Sequence, residues 1–64
     1  MNGTRLRELR EMSGKTQRQL AIEASITEGQ LANIELGKTE NPRIDTVIAL
    51  ARAVGCDVGD LIDT

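Results

Sequence analysis

Residues 16–37, with the sequence TQRQLAIEASITEGQLANIELG, contain the same signal for the start of a helix twice. Thr16 is followed three residues later by Gln19, and Thr27 is followed at the same distance by Gln30. This is the spacing of a capping box, in which the threonine hydroxyl and the glutamine side chain each bind a backbone N–H at the start of the helix. The repeated signal predicts that two helices begin within this stretch.

A very short connection joins these two helices. Only Ser25 and Ile26 lie between the end of the one and the capping Thr27 of the other. Two brief helices joined so tightly must cross steeply, and the small side chain of Ala21 lets their backbones approach closely. The spacing therefore indicates helix-turn-helix geometry over about residues 17–36, although many small helical bundles contain such a pair.

Apolar residues at helical spacing predict three more helices around this pair. A first helix is expected after Thr4, a fourth is capped by Asp45, and a short fifth is capped by Asp57. The expected apolar residues of these three helices are Leu6, Leu9, Met12, Val47, Leu50, Ala51, Val54, Val58, Leu61 and Ile62. No segment alternates with a period of two, so we predict an all-α fold in the form of a compact five-helix domain.

The composition restricts both the size of the fold and its chemistry. The chain has 64 residues, a formal charge of −2, no histidine, no aromatic residue and one cysteine, Cys56. We expect a single domain over residues 1–64, with no room for a deep substrate cavity. Without a histidine or a second cysteine, we expect no enzyme, metal, cofactor or small-molecule substrate. Cys56 is interpreted as a buried apolar side chain.

Neither a targeting segment nor a membrane span is indicated. The N-terminal residues lack the apolar region of a signal peptide, and the longest apolar run, residues 47–51, is far shorter than a bilayer requires. The absence of aromatic residues also argues against modules that stack the bases of single-stranded nucleic acids. We therefore expect a cytoplasmic protein with no membrane partner.

Two charged residues occupy positions where the helical spacing predicts apolar ones. Arg10 lies four residues after Leu6, and Glu35 adjoins Leu31 and Ile34. An internal ion pair between Arg10 and Glu35 is the economical interpretation, with a structural role. The alternative is that Arg10 extends its charged end to the surface along an apolar stem.

Several segments together resemble the phage Cro/repressor-type (XRE-like) helix-turn-helix DNA-binding family. They are residues 6–10 (LRELR), 16–21 (TQRQLA), 34–38 (IELGK) and 41–43 (NPR). Within that family the likeness is nearest to 434-type phage repressor domains. The resemblance implies a lambda-repressor-like fold and a bacterial or phage transcription regulator, in particular a repressor that binds double-stranded DNA sequence-specifically.

The chain departs from the family pattern in three places. Ser25 stands at the turn position where glycine is usual, so a residue with a Cβ is expected in a left-handed conformation. Leu36 replaces a polar or basic residue, and Glu28 and Gly29 begin the third helix where other members carry glutamine or arginine. The last two departures affect the residues that set base specificity.

The resemblance implies that the outward face of the third helix reads bases in the major groove. With Leu31 directed to the core, that face carries Glu28, Gly29, Ala32 and Asn33. An asparagine amide pairs with adenine, a glutamate accepts from cytosine N4, and an alanine contacts a thymine methyl. The alternative for Asn33 is an ordinary solvated side chain.

The resemblance also implies contacts to the DNA backbone. Gln17 and Thr27, at the starts of the second and third helices, are expected to hold phosphate oxygens, together with Lys38 and Thr39 beyond the third helix. Arg43 matches the position that enters the minor groove, where narrow A·T-rich DNA attracts arginine. The alternative for Thr27 is helix capping alone.

Surplus apolar residues in the C-terminal third predict a homodimer. One face of each helix cannot bury them all, and the family forms dimers through this region on pseudo-palindromic operators. The predicted interface comprises Ile44, Ile48, Val58, Leu61 and Ile62.

A second function remains open from the sequence, that of a protein-interaction or antitoxin-type module with weak or no DNA binding. The acidic balance, the acidic Glu28 and an outward-facing Ile22 favour it. The charge is uneven, however: residues 1–43 hold seven Lys/Arg against six Asp/Glu, whereas residues 44–64 hold one against four. Acidic residues therefore gather away from the predicted DNA side, and the net charge does not exclude DNA.

Overall fold

Four α-helices and one 3₁₀ turn make up the part of the chain that the structure describes, residues 1–39 and 41–62 of a computed structural model. In chain order they are α1 (Gly3–Met12), α2 (Gln17–Glu23), α3 (Glu28–Glu35), α4 (Ile44–Val54) and the 3₁₀ turn Val58–Asp60. These ranges contain no β-strand, so the all-α prediction is confirmed. Glu40, Asp63 and Thr64, which belong to the predicted single domain, lie outside the described residues.

The predicted capping boxes begin α2 and α3. The Thr16 hydroxyl accepts from the backbone N–H of Gln19 at 3.1 Å, and the Gln19 side chain accepts from the N–H of Thr16 at 2.9 Å. The equivalent distances for Thr27 and Gln30 are 3.0 and 2.8 Å. Because each box satisfies two otherwise unpaired donors, the two helix starts are fixed locally by the sequence.

Two other helices begin earlier than predicted. α1 begins at Gly3, with Asn2 at the N-cap accepting from the Arg5 N–H at 3.0 Å. α4 begins at Ile44 with Arg43 at the N-cap position, so the prediction that Asp45 caps this helix is wrong. Asp45 lies in the first turn, where a carboxylate also interacts favourably with the helix dipole. The sequence alone does not show whether Asp45 lies at the N-cap or in the first turn of α4.

The predicted fifth helix is only a single 3₁₀ turn. The N–H of Asp60 binds the carbonyl of Asp57 at 2.9 Å, and the N–H of Asp57 binds the Asp60 carboxylate at 3.1 Å. The segment is too short for a regular helix, but it brings Leu61 into the core and leaves Ile62 exposed.

Five fully buried leucines form the centre of the core, one from each helix and one from the residue after the 3₁₀ turn. They are Leu6, Leu20, Leu31, Leu50 and Leu61. The placement of Leu61 corrects its prediction as a dimer-interface residue, because it has no exposed surface to offer a partner. Met12 is also misplaced by the helical pattern: it is the last residue of α1 and is largely exposed.

The turn between α2 and α3 has the predicted strained conformation. Ser25 has φ +59°, while the N–H of Ile26 binds the carbonyl of Ala21 at 3.0 Å. Ala21 and Ala24, before this turn, are buried in the core. α2 and α3 pack against each other, and the left-handed residue reverses the chain between them.

Candidate nucleic-acid interface

The exposed side of α3 carries the four residues predicted to read bases. Leu31, Ile34 and Glu35 are buried on the inner side of this helix. On the outer side Glu28, Gly29 and Asn33 are exposed and Ala32 is half-buried. We call the set of Glu28, Gly29, Ala32 and Asn33 the reading face. The helix thus presents a carboxylate, an amide and two small residues to a partner on one surface.

The chain folds back onto the end of α3 and places Lys38 and Thr39 beside the reading face. Gly37, with φ +79°, reverses the chain after the helix. The N–H groups of Lys38 and Thr39 then both bind the carbonyl of Asn33, at 2.9 and 3.3 Å. The backbone of Lys38 and Thr39 is therefore held at the C-terminal end of this face.

Two other residues predicted to contact the DNA backbone are Arg43 and Thr27. They differ in how far their side chains are already engaged within the protein. The Arg43 side chain is 85% exposed and forms an ion pair with Asp45 at 3.5 Å. Such an exposed pair is weak, so the guanidinium can be drawn to a stronger anion. The Thr27 hydroxyl caps α3, as its alternative interpretation proposed.

A buried network joins α3 to α1 and α2. Arg10 Nε lies 2.7 Å from Glu35 Oε2 and its Nη2 lies 3.2 Å from Oε1, with 12% and 3% of the two side chains exposed. The hydrogen bonds that Arg10 donates to the Glu35 carboxylate raise the pKa of Arg10 more than burial lowers it. The predicted internal pair is confirmed, and the alternative of an Arg10 extended to solvent is wrong.

Gln17 completes this network. Its Nε2 donates to Glu35 Oε1 at 3.1 Å, so one amide proton of the predicted phosphate ligand is already used within the protein. Arg10 Nη1 donates in turn to the carbonyl of Lys15 at 2.9 Å. The network therefore fixes the start of α2 and the preceding loop relative to the reading face.

The family of the chain follows from a comparison with known protein families. A family model described as a helix-turn-helix domain matches residues 3–64. The chain belongs to this helix-turn-helix domain family. The predicted resemblance to XRE-like, DNA-binding transcription regulators is thereby confirmed.

Two solved structures resemble this helix-turn-helix domain along nearly its whole length. One is the crystal structure of the restriction-modification controller protein C.AhdI from Aeromonas hydrophila, with a TM-score of 0.86 and 30% identity over 94% of this chain and 89% of that chain. The other is the solution structure of the N-terminal DNA-binding domain of the master biofilm regulator SinR from Bacillus subtilis. Its TM-score is 0.85 at 26% identity, over 100% of this chain and 93% of that chain. A comparison with curated proteins gives no match.

Lys15 holds the helix-turn-helix domain together in a way that the sequence did not indicate. Its Nζ binds Glu23 Oε1 at 2.7 Å and also the carbonyl of Ala53, near the end of α4. A cation at a helix C-terminus pairs with unsatisfied carbonyls and with the negative end of the helix dipole. No local pattern reveals such a contact, because its partners lie 8 and 38 residues away along the chain.

The predicted dimer residues of this helix-turn-helix domain are only partly exposed. Ile44 and Ile62 are exposed and line one shallow depression together with Met1 and Pro42. Ile48 and Val58 are half-buried. The surface that remains available is thus smaller than the predicted one and is centred on Ile44 and Ile62.

Cys56 packs against the core while remaining half-buried. Burial raises the pKa of the Cys56 thiol, and the carboxylates of Asp60 and Asp57 raise that pKa further. The raised pKa favours the neutral thiol near pH 7, as expected of an apolar side chain, but the half-burial of Cys56 corrects the prediction that it is buried. No cluster of three potential metal ligands occurs within residues 1–39 and 41–62, and no helix there is long and apolar enough to cross a bilayer.

Proposed function

We propose that the chain is a sequence-specific regulator of transcription, acting as a repressor, that inserts α3 into the major groove of double-stranded DNA. One observation carries the proposal: α3 presents the reading face to solvent, with Lys38 and Thr39 fixed at its end by bonds to Asn33. The similarity to SinR supports the proposal, since the similar part of SinR is its N-terminal DNA-binding domain.

The chemistry of the reading face favours direct contacts to two kinds of base. The Asn33 amide has the donor and acceptor that match adenine N6 and N7, and the Glu28 carboxylate accepts from cytosine N4. Gly29 and Ala32 add little bulk, so the helix backbone approaches the base edges and water bridges part of the gap. We infer that Lys38, Thr39, Thr27 and the second amide proton of Gln17 contact phosphates, and that Arg43 enters the minor groove.

Two substitutions separate base reading from backbone binding. Asn33→Ala is expected to relax the preference at one base position, with a loss of discrimination of about 1–3 kcal/mol. Lys38→Ala is expected to weaken binding to every sequence alike and to reduce the salt dependence by about one phosphate. The measurement is selection of duplex sites from a random library, followed by titrations at several salt concentrations. A preference unchanged by Asn33→Ala would show that α3 does not read bases through this amide.

A protein-interaction module is the second candidate, and the exposure of Ile22 on α2 favours it. The same salt titrations discriminate between the two functions. DNA affinity falls steeply with salt because cations displace counterions from phosphates, whereas binding to a protein partner need not follow salt in this way. Failure of the selection to enrich any duplex would favour the second candidate.

We also propose that two copies of the chain bind a pseudo-palindromic operator through the surface around Ile44 and Ile62. Symmetric half-sites for such a dimer are spaced by one helical turn, about 34 Å. Ile44→Ser is expected to shift the mass on operator DNA from two protomers to one, without unfolding, since the Ile44 side chain is 62% exposed. Sedimentation measures this shift, and Ile22→Ser, at a residue with 68% exposure on α2, is the matched control. An unchanged dimer in Ile44→Ser would place the interface elsewhere.

A further inference from the structure

α3 has a crevice on each of its two sides, and an arginine lines each of them. The α4-side crevice contains Gln30 and Ile34 of α3 together with Arg43. The α1-side crevice contains Ala32 and Leu36 together with Arg7 of α1. Because residues four apart share one side of a helix, these two pairs mark opposite flanks. Gly29 and Asn33 of the reading face lie between the flanks, and Ala32 lies at the border with the α1 flank.

This arrangement matches the shape of a major groove. The groove is about 12 Å wide and an α-helix with its side chains about 10–12 Å across, so a helix inserted there has a phosphate strand on each flank. One flank of α3 already has a predicted backbone contact in Arg43. The opposite flank, with Arg7, has the uncharged Gln17 as its predicted backbone contact, and no cation was predicted to bind DNA there.

Arg7 is the cation of the α1-side crevice that can respond to an anion. Arg10 in the same crevice already donates to Glu35 and to the carbonyl of Lys15, and Gln17 has one amide proton committed to Glu35. Arg7 instead pairs with Glu11 at 3.7 Å, with 60% and 57% of the two side chains exposed. An exposed pair between residues four apart is weak and readily exchanged.

We propose that Arg7 binds a DNA phosphate on the α1 flank of α3, with Glu11 as its partner in the free protein. The inference rests on the proposed function and adds a residue that no motif assigned. Arg7 and Arg43 then bracket the reading face, one against each wall of the groove. Each arginine exchanges an exposed carboxylate, Glu11 or Asp45, for a phosphate when DNA binds.

The test is the salt dependence of binding to a duplex with the selected site and to a random duplex of equal length. Arg7→Ala is expected to lower affinity for both duplexes by a similar factor, about fivefold near physiological salt, and to reduce the log–log salt slope by about 0.9. Arg5→Ala is the matched control, since Arg5 is an exposed arginine of α1 that lies near Cys56 instead. Thermal unfolding of both variants is expected to match that of the parent.

A second pair of variants tests the exchange of partners. Glu11→Gln is expected to tighten DNA binding more than Glu8→Gln, and the difference is expected to vanish when Arg7 is alanine. Equal salt slopes for Arg7→Ala and Arg5→Ala, with a reduced slope for Lys38→Ala, would overturn the role of Arg7 and leave the proposed function intact. A parent protein without salt-dependent affinity for either duplex would overturn the proposed function and this inference with it.

Discussion

Glu35→Ala is expected to lower the free energy of unfolding by about 3–5 kcal/mol, the cost of leaving one partner of a buried ion pair without the other. Glu35 accepts two hydrogen bonds from Arg10 and one from Gln17, and only 3% of its side chain is exposed. Its removal leaves the Arg10 guanidinium in a site from which water is largely excluded. A domain of this size has a stability of roughly 3–10 kcal/mol, so the variant is expected to be mostly unfolded at moderate temperature.

Urea denaturation measures this effect, and the exposed Arg7–Glu11 pair provides the control. Glu11→Ala also removes a carboxylate from an arginine, but at 3.7 Å and in solvent, and is expected to change stability by no more than about 0.5 kcal/mol. The double substitution Arg10→Met with Glu35→Leu is expected to recover much of the loss, because an apolar pair leaves no charge unpaired. A Glu35→Ala midpoint equal to that of the parent would show that the network is not a source of stability.

The features predicted correctly from the sequence are those that short-range chemistry determines. The capping boxes of Thr16 and Thr27 need only residues three positions apart. The left-handed conformation of Ser25 was instead expected from the family resemblance, in which glycine is usual at this turn position. The Arg10–Glu35 pair could also be predicted from the sequence, although its residues lie 25 positions apart. Each of these two opposite charges stands at a position where the helical spacing predicts an apolar residue. Two opposite charges at positions that the helical spacing predicts to be apolar thus indicate an ion pair within the core.

Two of the predictions that failed concern side chains whose burial depends on the packing of other elements over them. Met12 and Leu61 both continue an apolar pattern, yet Met12 is exposed and Leu61 is fully buried. Nothing within either residue's own turn distinguishes them, since the difference is made by packing between distant segments. The position of Arg7 was missed for the same reason: an arginine on a charged helix has no local mark that places it beside Ala32 and Leu36.

Gly3→Ala is the second substitution expected to have a large effect. It is expected to destabilise the protein, although helix propensity alone predicts that alanine in place of glycine stabilises a helix. Gly3 is a buried residue in the first turn of α1. A Cβ at this position would overlap the carbonyl oxygen of Ile34 and lie 2.9 Å from that of Glu35. Both obstacles are backbone atoms of α3, so no side-chain rotation relieves the contact. The start of α1 must move away from α3, at an expected cost of about 1–3 kcal/mol or more.

Gly29→Ala is the matched control, because Gly29 is also helical but has nothing within 4 Å of an added Cβ. There the loss of backbone freedom in the unfolded chain dominates, and a gain of about 0.5–1 kcal/mol is expected. Urea denaturation of the two variants should therefore give shifts of opposite sign, and a stabilised Gly3→Ala would show that α1 and α3 are not in close contact at this point. Since Gly29 lies on the reading face, the methyl group added by Gly29→Ala would also fill space that we assign to DNA. If the Gly29→Ala protein is more stable but binds DNA more weakly, the outer surface of α3 contributes to DNA binding independently of the packing that holds the helix in place.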